Sequence, residues 1–88
     1  MTLSQTQPTV GDALRQWRRI RHISQMNLAL DAQISPRHLS FIETGRSQPS
    51  RDVVLQLASA LHMPYRHRNS LLMAAGFAPQ FSASTFGG

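Results

Sequence analysis

Apolar residues recur every three or four positions between Val10 and Phe77, and each run is broken by a residue suited to a cap or a turn. Such spacing predicts amphipathic helices, and no stretch alternates convincingly enough to predict a strand. Val10, Leu14 and Trp17 share one face of a first helix. Thr9 opens it as N-cap, Asp12 is the capping-box partner three residues on, and the helix ends at about Arg21. Arg18 lies on the flank of that face beside Leu14. Arg21 lies within it and therefore needs a partner or a route to water. Ser24 caps a second helix, about 24–31, that carries Leu28 and Ala29 inward. Ser35-Pro36 opens a third, about 35–44, with Pro at the first helical position, where a missing N–H costs nothing. Leu39 and Ile42 form its apolar stripe, and Gly45 stops it as a residue free to take positive φ.

Ser50 caps a fourth helix with Asp52 in its first turn, where the helix dipole favours an acid. Its stripe is Val53 or Val54, then Leu57, Ala58 and Leu61. Pro64 opens a fifth, with Leu71, Leu72 and Ala75 on its inner face. Gly76 ends it, and Phe77 is placed to fold back on Leu72 as in a Schellman motif. Five helices with short links give an all-α domain over residues 9–78. Residues 1–8 are expected to be a flexible polar arm, and 79–88 a small, glycine-ended, disordered tail.

The chain has 88 residues, enough for one small core. Its formal net charge is +5, and all nine basic residues are arginine. That balance favours an anionic partner, nucleic acid first and a membrane surface second. No apolar run approaches a transmembrane span, and the N-terminus lacks the basic and apolar regions of a signal peptide. With no cysteine there is no disulfide framework and no thiolate metal site, which suits a reducing cytoplasm. His22, His38, His62 and His67 are scattered, and four acids leave little for paired-carboxylate chemistry. No glycine-rich phosphate loop exists. An enzyme, a metal centre and a bound cofactor are therefore not expected.

The stretch SQMNLALDAQISPRHLSFIETGRSQPS, residues 24–50, resembles the helix-turn-helix core of the lambda-repressor-like regulators, often called the XRE family. The residues that carry the resemblance are Ser24-Gln25, Leu28-Ala29, Ile42-Glu43-x-Gly45 and the loop to Pro49; the match extends over about residues 10–77. It implies a five-helix lambda-repressor-like DNA-binding domain that reads double-stranded DNA for a bacterial transcription regulator. One small helix buries too little for genomic specificity, so a homodimer is expected at least on DNA, with no membrane partner and a cytoplasmic place at the nucleoid. The alternative within the same fold is an antitoxin that binds DNA and clamps a toxin protein. Residues 68–79, RNSLLMAAGFAP, resemble a bacterial subgroup in which a ligand-sensing domain usually follows. The chain is thus expected to be the DNA-reading part of a longer regulator or a shortened relative. Any effector ligand would act only through that absent C-terminal domain.

A short helix with polar residues on its N-terminal face, backed by another helix, fits a DNA major groove. Arg37 is the leading base reader, since a guanidinium binds guanine O6 and N7 bidentately; its other reading is a phosphate contact. Pro36 opens the same face. Ser40, one turn on, suits a base or a phosphate, or is simply a tolerated small residue. Phe41 packs either on a thymine methyl or partly into the core. His38 is a phosphate contact or an exposed bystander. Gln25 sits at a helix N-terminus, a natural phosphate site. Arg46, Ser47, Gln48 and Arg51 surround the loop that, by resemblance, follows the DNA backbone. The resemblance further implies that Arg18 pairs with Glu43. Three departures stand out. Gln33 replaces a frequent glycine in the turn, Pro36 removes the glutamine that usually braces Gln25, and Phe41 stands where a polar residue is common.

Overall fold

The computed structural model of the protein describes residues 9–79. They form α1 (Val10–Arg21), α2 (Gln25–Ala32), α3 (Pro36–Glu43), α4 (Arg51–Ala60) and α5 (Tyr65–Ala74), with no strand among the described residues. The arm at 1–8, and the tail beyond Pro79, lie outside the described residues.

Four helices start on a hydroxyl cap. The side chains of Thr9, Ser24, Ser35 and Ser50 accept from the N–H groups of Asp12, Asn27, His38 and Val53. Asp12 also accepts the Thr9 N–H, which completes the capping box. Pro64 precedes α5 in extended backbone with no side-chain cap.

All five helices stop in the same way. A residue with positive φ follows the last turn: His22, Gln33, Gly45, His62 and Gly76. The next N–H then reaches back to the helix, from Ile23 to the Arg18 carbonyl, Ile34 to Ala29, Arg46 to Phe41, Met63 to Ala58 and Phe77 to Leu72. This is the Schellman closure, which satisfies carbonyls the helix leaves unpaired. After four of these stops the next residue is apolar and packs on the core: Ile23, Ile34, Met63 and Phe77. After α3 it is Arg46, which is exposed.

The core is built from Leu14, Leu28, Leu39, Ile42, Val54, Leu57, Leu61, Leu71 and Leu72, all essentially inaccessible. Val54, not Val53, is the fully buried member of that pair. α2 packs on α3 and α4, α1 on α3 and α5, and α4 on α5. Arg21 reconciles its apolar-face position by closing the end of α4. It donates to the carbonyls of Leu61 at 3.0 Å and His62 at 2.9 Å, with its guanidinium 5.3 Å from the Trp17 ring centre. A cation at a helix C-terminus satisfies orphan acceptors and complements the dipole.

Candidate nucleic-acid interface

The turn between α2 and α3 is set by Gln33, left-handed at φ 63° and ψ 38°. That matches the expectation of a strained residue where related chains have glycine. From there Leu39 and Ile42 sink into the core and fix which side of α3 faces out. Arg37 is exposed on that side, Pro36 is exposed at the helix start, and His38, Ser40 and Phe41 are half-buried. Beyond the helix, Arg46 and Gln48 are exposed, Ser47 is half-buried, and buried Pro49 anchors the loop.

Beneath α3 lies the one buried charge among the described residues, Glu43, with 3% of its surface accessible. Arg18 grips its carboxylate with two nitrogens, Nε at 2.7 Å and Nη2 at 3.0 Å. Gln25 donates its side-chain amide to the same carboxylate at 3.0 Å. Arg15 donates to the Glu43 main-chain carbonyl and pairs with Asp12. Three elements, α1, α2 and α3, therefore meet on one residue. A buried carboxylate is tolerable only when paired and hydrogen-bonded in this manner.

With Pro36 in place of the usual glutamine brace, the Gln25 amide takes Glu43 as its partner. The amide nitrogen carries two hydrogens, so one N–H stays available beside the backbone N–H of the helix start. Arg51 is not simply a loop cation: its Nη1 donates to the Ala78 carbonyl at 3.2 Å, holding the chain that leaves α5.

Two arginines approach the Phe41 ring. The guanidinium carbon of Arg37 is 5.6 Å from the ring centre, and that of Arg46 is 5.8 Å. The backbone explains the second contact. Gly45 has φ 82°, and the N–H groups of Arg46 and Ser47 both point at the Phe41 carbonyl, at 2.8 and 3.2 Å. In a Schellman closure the residue after the glycine comes to rest over the last turn, here over Phe41. Neither Arg37 nor Arg46 has an acid partner, since the ion pairs among the described residues are Arg15–Asp12 and Arg18–Glu43. The outer face of α3 and its loop thus carries uncompensated positive charge.

Two residues of this arrangement escaped the sequence reading. Gly11 is buried where α1 crosses the end of α3, and a Cβ there would lie 2.8 Å from the Glu43 carbonyl carbon. The available signal was a glycine in the first turn of a strongly periodic helix, where it is otherwise unfavourable. Arg15 was signalled by its spacing of three from Asp12. No group of three or more histidines and acids could hold a metal ion among the described residues. Nor is any helix there long and apolar enough to cross a membrane.

Comparison with known proteins agrees with this geometry. A family model described as a helix-turn-helix domain matches residues 9–71. The structure is similar to the restriction-modification controller protein C.AhdI from Aeromonas hydrophila, at 29% identity and a TM-score of 0.63, covering 67% of this chain and 89% of that one. It is also similar to the clp gene regulator ClgR from C. glutamicum, at 28% identity and a TM-score of 0.66, covering 78% and 86%. No curated protein matches in sequence. With five helices, a left-handed turn before α3 and a family match spanning most of its length, the chain belongs to the helix-turn-helix domain family.

Proposed function

We propose that the chain is the sequence-specific DNA-binding domain of a bacterial transcription regulator, with α3 entering the major groove. The observation that carries this reading is the pair of acid-free arginines, Arg37 and Arg46, on the outer side of a helix whose inner side is fixed by Glu43. The two similar structures are a controller protein and a gene regulator, which supports the same reading. Arg37 reads a base edge, guanine by preference, and Ser40 shares that face. Pro36 and His38 flank it. Gln25 offers its second amide N–H and the α2 start to a phosphate. Arg46, Ser47 and Gln48 follow the backbone, with Arg51 contributing the nitrogens not given to Ala78. The module binds and does not catalyse, and it needs no cofactor.

One short helix touches too few base pairs to single out a genomic site, so two copies bind twofold-related half-sites about 34 Å apart. Its place of action is the cytoplasm, at the nucleoid. Selection of bound duplexes from random DNA is the direct test. Enrichment of a palindrome-like site with half-site centres one helical turn apart supports the reading. Recovery of unbiased sequence, or no retention at low salt, overturns it.

A further inference from the structure

Phe41 stands where a polar residue is common among related chains, on the outer side of α3. Its ring is the meeting point of the two arginines assigned different tasks. Arg37 sits one turn before it on the same helical face and Arg46 just past the Schellman glycine; their guanidinium carbons lie 5.6 and 5.8 Å from the one ring centre. A guanidinium over an aromatic ring is held by the ring quadrupole and loses side-chain freedom before it meets its ligand. The backbone adds a second constraint. The Phe41 carbonyl accepts the N–H groups of Arg46 and Ser47, and the Thr44 hydroxyl lies 3.3 Å from it. The start of the loop is thus pinned to the residue that carries the ring. At the other four helix stops the corresponding residue is apolar and packs on the core; only here is it a cation resting on an aromatic ring.

We propose that Phe41 is the positioning residue of the interface: its ring holds Arg37 and Arg46 in one arrangement and so couples base reading to backbone clamping. This rests on the DNA-reading function proposed above. With both guanidinium groups preset, less freedom is lost on binding. The ring acts through the arginines and not on a base. Removing it frees both side chains, so affinity falls and the two arginines become independent, while the number of phosphate charges neutralised is unchanged.

The test is a double-mutant cycle on the duplex recovered by selection, with melting temperature followed for every variant. Arg37→Ala and Arg46→Ala are measured singly and together, in the native background and in Phe41→Leu. In the native background the combined loss should differ from the product of the single losses by about two- to five-fold, the scale of an exposed cation–π contact. In Phe41→Leu the losses should multiply. Phe41→Leu alone should weaken binding by about two- to tenfold and leave the salt slope intact. Phe41→Trp, with a stronger ring face, should retain the coupling, and it carries the test if Phe41→Leu melts early. Losses that multiply in the native and Phe41→Trp proteins overturn the proposal. A further arm replaces each thymine of the duplex by uracil, removing only the methyl. If one replacement weakens the native protein and not Phe41→Leu, the ring reads that methyl directly and the positioning role is wrong. Failure of the underlying reading looks different: Arg37→Ala would then weaken selected and scrambled duplexes alike, whatever stands at position 41.

Discussion

The two sides of α3 handle the same side chain in opposite ways. Beneath the helix, Arg18 is half-buried against Glu43 and Arg15 is locked to a carbonyl and to Asp12. On its outer side, Arg37 and Arg46 meet no acid and rest on an aromatic ring. The chain has only four acids for nine arginines, so where the acids stand decides which arginines are structural. Two of the four are placed around the inner end of α3 and none on its outer face. The contrast separates a rigid base from an available face, and it predicts that substitutions on the two sides affect different quantities.

The largest effect should come from the inner side. Glu43→Ala leaves Arg18 with a partly shielded charge and Gln25 without its acceptor, and should destabilise by about 3–5 kcal/mol in denaturant unfolding. An unchanged unfolding midpoint would erase the distinction between the two sides. Next is Gly11→Ala. The new methyl meets backbone of α3, which cannot swing aside, so α1 and α3 must separate at a cost of about 1–3 kcal/mol. Thermal melting measures it, and a neutral result would show that the two helices approach less closely. Arg46→Ala belongs to the outer side. It should leave the melting temperature nearly unmoved, yet reduce the slope of log affinity against log salt by about one unit on any duplex. The smallest effect lies in the turn between the sides. Gln33→Gly should stabilise by about 1 kcal/mol at most, because glycine takes the left-handed conformation without a Cβ penalty. A loss of stability would mean that the unfolded chain's gain in entropy outweighs the strain relieved.

What could be read from the sequence follows the range of the interactions involved. Thr9, Ser24, Ser35 and Ser50 announced their helix starts because a cap involves residues only three apart. Gly45 and Gly76 announced two of the stops. The left-handed residues at His22 and His62 carried no local mark. They adopt positive φ because Ile23 and Met63 must reach the core, a demand imposed by packing. The bond from Gln25 to Glu43 spans 18 residues and exists only once α1, α2 and α3 have assembled. No pattern along the chain encodes it, and so only the loss of the usual glutamine brace could be read there. Arg18 with Glu43 was anticipated from the family likeness, and the structure adds that the carboxylate is almost wholly buried. The stack of Arg37 on Phe41 was within reach, since residues four apart on a helix are neighbours. That of Arg46 required the geometry of the glycine stop.

If the outer side of α3 reads sequence and Arg37 does most of the reading, binding of Arg37→Ala and Arg46→Ala to the selected and a scrambled duplex at two salt concentrations will show it. Arg37→Ala should lose about 1–3 kcal/mol on the selected duplex, little on the scrambled one, and relax preference at one base pair. Arg46→Ala should weaken both duplexes, with an extra loss on the selected one of no more than the about two- to five-fold coupling through Phe41. Equal loss on the two duplexes for Arg37→Ala would make it a phosphate clamp and contradict the account.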